Sequence, residues 1–282
     1  MTKVLFHFAT LLAVAAPLAL AQPARAAPPK TVRLYVFDCG TINATDVSAY
    51  RLKLEEVATP KMSMECFLVA HPKGNMIWDA GAIPDSSFKP GAPGTLRNGV
   101  ALKPLTAQLA EAGYVPTDIK YLALSHFHWD HVGNSNAFAG ATWLTPKAER
   151  DLMFGDPPSP RTEPANYSAL KNSKTVLLTQ DEYDVFGDKT VVIKAAPGHS
   201  PGHQVLYLKL AKTGPVVLSG DLYHYPEERK LNRLPTSEFN VDQTAASRVA
   251  VEAFLKKTGA QLWIQHDFEA SAKLKKAPLF YE

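Results

Sequence analysis

The chain has 282 residues, of which 46% are hydrophobic and 20% are charged. This length and apolar content suffice for a sizeable core in a single catalytic domain. The formal net charge is only +3, and the Lys and Arg residues are scattered without a basic block, so we expect no nucleic-acid partner.

The first residues have the pattern of an export signal. A short basic start at residues 1–3 precedes an apolar stretch over residues 4–20, and small residues suited to cleavage follow near positions 21 and 26. The apolar stretch is short, contains Pro17 and runs into a linker rich in Pro and Ala, which favours cleavage over a retained membrane anchor. We therefore predict a signal peptide and linker over residues 1–27 and a periplasmic or secreted mature protein.

The segment up to Gly113 predicts strands followed by a helix. Residues 31–37 have the composition of a strand, and residues 66–69 and 76–78 that of a hairpin, whose turn contains a solvated His71. Apolar residues at helical spacing over residues 102–112 predict a helix. The only cysteines, Cys39 and Cys66, lie in strand-like segments. Export permits a disulfide between them, but buried free cysteines are also common in strands, so their pairing stays open.

The next strand leads into a dense group of candidate metal ligands. The apolar run 121–124 is followed by His126, His128, Asp130 and His131. Imidazole and carboxylate groups are the ligands of hydrolytic zinc enzymes. A tight turn at the end of the strand can direct the first two side chains to one metal and the last two to another. A His-rich surface loop without metal is the alternative.

Three later strand-like segments each precede one further candidate ligand. Segments 191–193, 215–218 and 262–264 are followed by His199, Asp221 and His266, respectively. Each segment is apolar and rich in β-branched residues, as expected for buried strands. Separate strands are therefore predicted to bring these three side chains to the edge of a sheet where the first group lies.

Two helices and two long loops complete the pattern. Residues 146–153 predict a short helix, and Asn240 is expected to cap a helix that runs to about Lys257 and ends at Gly259. The residues of this second helix predicted to face inward are Val241, Ala245, Val249 and Phe254. Residues 82–99 and 154–172 are dense in Pro, Gly or Ser. Long loops in a compact domain are often functional, so we interpret them as walls or lids of a substrate pocket, with plain surface linkers as the alternative.

The order of these motifs resembles the metallo-β-lactamase superfamily. The resemblance comprises HxHxDH at residues 126–131, a lone His, a lone Asp and a final His, together with Asp79-Ala80-Gly81, which looks like the early Asp-x-Gly signature of that superfamily. It implies an α/β fold, the αβ/βα four-layer sandwich, as a single catalytic domain over residues 28–282. The presence of Asp221 and the chain size look most like the N-acyl-homoserine lactonase family of quorum-quenching enzymes.

The resemblance also implies a ligand set for two divalent metal ions, with zinc as the expected metal. The first metal takes His126, His128 and His199, the second takes Asp130, His131 and His266, and Asp221 bridges them. A carboxylate shared by two cations is a usual device of dinuclear hydrolases. Asp79 and His203 are expected to support the ligand loops rather than to bind metal.

The function implied is the opening of a lactone ring, with N-acyl-homoserine lactones as the expected substrates. A metal-bridging hydroxide would attack the carbonyl, and Asp130 would protonate the leaving group. His224 and Tyr223 are candidate donors to the oxyanion. In the lactonases a tyrosine stands where this chain has His224, and this departure puts both the carbonyl contact and the substrate in doubt.

Other functions remain open on the sequence alone. An organophosphate or aryl-ester hydrolase would retain all the ligands, whereas class B3 β-lactamases lack a counterpart of Asp221. A non-catalytic metal-holding binding protein is an alternative of a different class.

Overall fold

The structure is a computed structural model that describes residues 25–157 and 159–282. Residues 1–24, which carry most of the predicted signal peptide, lie outside the described residues. Within the described ranges, no helix combines the length and the apolar character needed to cross a membrane.

The first sheet has eight strands in the order β4-β5-β1-β2-β3-β6-β7-β8. Its strands are β1 (Arg33–Ile42), β2 (Met62–His71), β3 (Gly74–Trp78), β4 (Gly94–Leu96), β5 (Gly99–Ala101), β6 (Ile119–Ala123), β7 (Thr142–Pro146) and β8 (Thr175–Leu178). The strands from β4 to β3 pair antiparallel, and those from β3 to β8 pair parallel. Because β3 and β6 are parallel, with Trp78 opposite Ala123, the segments that follow them leave the sheet at the same edge.

The second sheet has five strands in the order β13-β12-β11-β10-β9. Its strands are β9 (Glu182–Asp184), β10 (Val191–Ala195), β11 (Gln204–Leu210), β12 (Gly214–Leu218) and β13 (Gln261–Trp263). The pair β12–β13 is parallel, with Leu218 opposite Trp263. The segments after these two strands, which carry Asp221 and His266, therefore also leave together.

The two sheets pack face to face, with helices on the outer faces. The helices are α1 (Leu105–Glu111), α2 (Trp129–Val132), α3 (Lys147–Met153), α4 (Pro226–Leu231), α5 (Val241–Thr258) and α6 (Phe268–Ser271). In β1, Leu34 and Val36 belong to the core shared with the second sheet, whereas Tyr35 and Phe37 belong to the core on the outer face. This alternation is the period of a strand buried on both faces. The predicted αβ/βα sandwich is confirmed.

The helix after Asn240 is confirmed, but its predicted inward face is only partly right. The Asn240 side chain accepts a hydrogen bond from the amide of Gln243, and Gly259 ends the helix in the left-handed region. Val249 is 72% exposed. Phe254 packs beside the buried Val251 and Leu255, as predicted. The buried face also contains polar residues, since Ser247 and Arg248 donate to the carbonyls of Pro197 and Leu222. Apolar periodicity therefore identifies only part of the packed face of this helix.

Two further local predictions need correction. His71 is not solvated but 3% exposed, because its ring stacks on Phe186 and its Nε2 lies 3.0 Å from a carboxylate oxygen of Asp188. The stretch 82–99 is not wholly a loop, since β4 and β5 form a hairpin whose turn is Arg97-Asn98.

Cys39 in β1 and Cys66 in β2 form a disulfide that closes a separation of 27 residues. Both cysteines are buried beneath the loop after β3, and a Cβ atom added to Gly81 in that loop would lie 2.7 Å from the Cβ of Cys39. The disulfide therefore ties two strands together directly under a loop of the candidate site.

We expect the double variant Cys39→Ala, Cys66→Ala to lose about 3 kcal/mol of unfolding free energy, because the unfolded chain gains conformational freedom. Urea denaturation of the variant and of the oxidised wild type measures this loss, with intact mass used to verify the oxidation state. An unchanged unfolding free energy would contradict the stabilising role of the bond.

Candidate metal centre

The loop after β6 delivers four of the predicted ligands. His126 and His128 lie in the loop itself, and Asp130 and His131 lie in the single turn of α2 that follows. Backbone hydrogen bonds fix this turn, since the amide of Ala80 donates to the carbonyl of His131 at 2.7 Å. The ligands are thus held between the ends of β3 and β6.

The other ligands follow strands of the second sheet, and glycines precede two of them. Gly198, before His199, has φ +134°, and a Cβ atom there would lie 2.2 Å from the amide nitrogen of Thr244. Gly220, before Asp221, has φ +49°, and its Cβ atom would lie 2.7 Å from His203 Nε2. Both positions combine a left-handed backbone with close packing, so only glycine fits without displacing its neighbours.

All seven predicted ligands come together in two clusters that share Asp221. The first cluster consists of His126, His128, His199 and Asp221, and the second of Asp130, His131, Asp221 and His266. The ligand atoms within each cluster lie within 4.8 Å of one another.

The two oxygens of Asp221 face different clusters. Oδ2 lies 3.4 Å from His126 Nε2 and 3.2 Å from His199 Nε2. Oδ1 lies 3.1 Å from His131 Nε2 and 3.0 Å from His266 Nε2. This is the arrangement required of a carboxylate that bridges two cations.

The clusters fit two divalent metal ions. His131 Nε2 and Asp221 Oδ1 are buried, and their 3.1 Å contact lacks the geometry of a hydrogen bond, so neither atom makes a hydrogen bond to any described residue. Unsatisfied buried polar atoms are costly, and a cation coordinated by both would satisfy them. The donor set of imidazole and carboxylate groups suits zinc or a similar transition metal.

Four of the imidazoles are oriented through the ring nitrogen that faces away from the clusters. His131 Nδ1 lies 2.9 Å from Asp79 Oδ2, and His199 Nδ1 lies 3.2 Å from Glu238 Oε1. The two other contacts join His126 Nδ1 to Ser125 Oγ at 3.0 Å and His266 Nδ1 to the carbonyl of Ser63 at 2.7 Å. Such contacts fix the ring orientation and leave the opposite nitrogen for a metal. The predicted supporting role of Asp79 is confirmed by its contact with His131.

His203 supports Asp221 through the backbone rather than through a metal. Its Nδ1 lies 2.9 Å from the carbonyl of Ala196, and its Nε2 accepts a hydrogen bond from the amide of Asp221 at 2.9 Å. Burial lowers the pKa of His203 to about 4, so the ring is neutral and able to accept that bond. Burial alone would raise the pKa of Glu238, but the hydrogen bond from His199 lowers the pKa below its ordinary value, so this support remains a carboxylate.

Of the two candidate oxyanion donors, only His224 reaches the centre. Its Nε2 lies 3.3 Å from Asp221 Oδ2, and its Nδ1 lies 3.4 Å from Oε1 of the buried Glu228. The prediction for Tyr223 is wrong, because its hydroxyl donates to Glu252 and its ring lies under the guanidinium of Arg248. The backbone at Tyr223 is extended (φ −142°, ψ 140°), and successive side chains of an extended chain point to opposite sides.

A cavity of about 280 Å³ opens over the two clusters. Arg97 and Asn98 from the β4–β5 hairpin and Arg161 from the stretch 154–172 line it. Arg97 Nε donates to Glu163 Oε1 at 2.9 Å, and this contact joins the two stretches. Both stretches therefore contribute to the wall of the pocket, as predicted.

Several residues of the site have no signal in the sequence. They are Tyr50, Arg161, Glu228 and Glu238, which lie outside the ligand motifs. Tyr50 lines the cavity with its ring centroid 4.6 Å from that of His224, and burial raises the pKa of its hydroxyl, which therefore stays protonated. Only the tertiary structure brings these residues to the centre, so no local pattern could have identified them.

Comparison with known proteins identifies relatives and solved structures of similar fold. AttM, an N-acyl homoserine lactonase of Azorhizobium caulinodans, is 28% identical over 274 residues, which cover 89% of this chain and 99% of the relative. Among solved structures, a quorum-quenching N-acyl homoserine lactone lactonase has a TM-score of 0.73 at 23% identity and covers 89% of this chain and 98% of its own. AidC, described as a dizinc quorum-quenching lactonase, has a TM-score of 0.65 at 20% identity, and the match covers 93% of this chain and 98% of AidC.

The family match extends over most of the described chain. Residues 65–264 match the Lactamase_B family, described as the metallo-beta-lactamase superfamily. This range contains every predicted metal ligand except His266, which lies just beyond it. The chain belongs to the metallo-beta-lactamase superfamily.

Proposed function

We propose that this protein is an exported, dinuclear metal-dependent lactonase that hydrolyses N-acyl-homoserine lactones. The observation that carries the proposal is the division of Asp221 between two four-residue clusters. The relatives named as N-acyl homoserine lactonases, AttM among them, support the choice of substrate.

Two divalent cations bound on either side of Asp221 would supply Lewis acidity toward the ester carbonyl and activate the attacking water. The cavity over the clusters gives the lactone ring of the substrate a place to bind beside them. His224 lines this cavity and is the protein group best placed to contact the carbonyl oxygen as it becomes negatively charged.

Asp130 is the residue proposed to transfer the proton. It lines the cavity, and its Oδ2 lies 3.5 Å from His266 Nε2 and 3.8 Å from His131 Nε2. The carboxylate of Asp130 takes one proton from the attacking water and, when the carbon–oxygen bond of the ring breaks, passes it to the leaving oxygen, which becomes the hydroxyl of the product. Attack by water and this transfer together give the hydroxy acid.

Export is supported by two independent features. The pattern of residues 1–27 is that of a cleaved signal peptide. The Cys39–Cys66 disulfide suits an oxidising compartment such as the periplasm or the extracellular space.

A substrate panel tests the function. Purified mature protein loaded with zinc is expected to turn over an N-acyl-homoserine lactone with a higher kcat/KM than paraoxon, an aryl ester or nitrocefin. The phosphotriester or aryl ester as best substrate would instead establish the rival hydrolase function. Activity on nitrocefin alone would establish a β-lactamase.

A further inference from the structure

Arg161 presents a charged donor group to the cavity. Its Nη1 lies 3.5 Å from Nε2 of His128, and its side chain lines the cavity over the clusters. In the part of the chain that the structure describes, no carboxylate lies within ion-pair distance of Arg161. Arg97, the other arginine that lines the cavity, is paired with a carboxylate, because its Nε and Nη2 donate to Glu163 Oε1 at 2.9 and 2.6 Å.

His128 faces the first cluster through Nδ1, which leaves Nε2 facing Arg161. Its Nδ1 faces the first cluster, 2.8 Å from His126 Nε2 and 3.0 Å from His199 Nε2. An imidazole that offers Nδ1 to a metal carries its proton on Nε2. His128 Nε2 and Arg161 Nη1 are then two neighbouring donors, and neither accepts a hydrogen bond from the other. An acceptor oxygen placed beside the pair, within hydrogen-bond distance of each nitrogen, would satisfy both.

The remaining walls of the cavity indicate what carries this oxygen. Ile42, Met62 and Trp129 belong to one hydrophobic cluster and give the cavity an apolar surface, whereas Asn98, Arg161 and Ser237 contribute polar groups. A substrate whose ester lies at the clusters would thus meet both a donor pair and an apolar surface. An acyl group joined through an amide offers both a carbonyl oxygen and an alkyl chain.

We propose that Arg161, together with Nε2 of His128, binds the exocyclic amide carbonyl oxygen of the substrate and so selects acylamino lactones over lactones that lack this group. This inference rests on the proposed lactonase function and assigns a specificity-determining role to a residue outside the metal ligands.

The test compares two lactones that differ only at this position. One is N-butanoyl homoserine lactone, and the other is α-pentyl-γ-butyrolactone, which has an alkyl chain in place of the acylamino group. Arg161→Met keeps a long side chain without its donors, and Arg161→Lys keeps the charge without the planar fork. Arg150→Met is the matched control, since Arg150 lies on α3 and donates to the carbonyl of Lys171.

Arg161→Met is expected to raise KM for the acylamino lactone about 10-fold, the scale of one hydrogen bond from a charged donor. The metal content, and kcat/KM for the alkyl lactone, should stay at the wild-type level. The corresponding lactam, 3-(butanoylamino)pyrrolidin-2-one, keeps the exocyclic amide but lacks the scissile ester. Calorimetry should show that Arg161→Met loses a similar factor of affinity for this lactam, without depending on turnover. The KM of Arg161→Lys for the acylamino lactone should lie between those of wild type and Arg161→Met. Arg150→Met should match wild type in this KM and in its affinity for the lactam.

Three results would overturn the inference. An equal loss of kcat/KM for the two lactones in Arg161→Met would show that Arg161 affects the metal centre or the folding of the protein. An unchanged affinity for the lactam would show that it makes no such contact. A larger loss on a lactone with a free carboxylate in place of the amide would assign Arg161 to an anionic group. Wild type that opens neither lactone would overturn the proposed function as well, whereas the three results above leave that function intact.

Discussion

Asp221→Asn is expected to lower the turnover of the lactone by about 10³-fold or more, the scale of several kcal/mol of metal-supplied transition-state stabilisation. Each oxygen of Asp221 faces one cluster, so the substitution removes a ligand oxygen from one of them and a compensating negative charge from both. Elemental analysis of the purified variant should show fewer than two metals per chain.

Asp151→Asn is a suitable control for this substitution. Asp151 is an exposed residue of α3 whose carboxylate pairs with Lys147, and surface pairs of this kind contribute little. The control should keep both the rate and the metal content of wild type. An Asp221→Asn variant with two metals and a near-normal rate would show that the bridge is dispensable.

His224→Ala is expected to lower kcat/KM for the lactone by about 10²-fold, the scale of losing one oxyanion donor. Its Nε2 lies at the cavity, and Glu228 behind it, bound in turn by Arg248 at 2.9 Å, holds the ring in place. His224→Tyr introduces the residue that the resemblance to the lactonases implies at this position, and it should keep or raise activity on acyl-homoserine lactones.

Metal content and thermal unfolding separate the competing roles of His224. Wild-type activity in His224→Ala would contradict the donor role. Loss of metal in this variant would make His224 a ligand, since its Nε2 lies as near to Asp221 Oδ2 as the nitrogens of the first cluster do. A lowered melting temperature at unchanged kcat/KM would indicate packing alone.

The ligands could be predicted from the sequence because their signal is local. His126, His128, Asp130 and His131 stand in one short motif, and His199, Asp221 and His266 each follow an apolar strand. The direction of a strand determines the edge at which its ligand emerges, so strand patterns and ligand types together predict a common site. The parallel pairs β3–β6 and β12–β13 establish this edge in the structure.

The supporting residues could not be predicted, because their contacts are long-range. Glu238 contacts His199 across 39 positions of the sequence, and Arg161 contacts His128 across 33. Tyr223 and His224 are adjacent and both polar, and only the extended backbone at Tyr223 decides which one faces the clusters. The polar part of the buried face of α5 escaped prediction for a related reason, since Ser247 and Arg248 are buried through hydrogen bonds to loop carbonyls rather than through apolar contacts.

Titration of metal-free protein with zinc tests most directly whether Asp221 joins two metal sites into one catalytic centre. Lactone turnover is measured after each addition, together with the amount of metal bound per chain. Full activity should appear only when two metals are bound per chain, and Asp221→Asn should not reach it at any zinc concentration. Full activity of wild type with a single metal bound per chain would contradict the dinuclear centre.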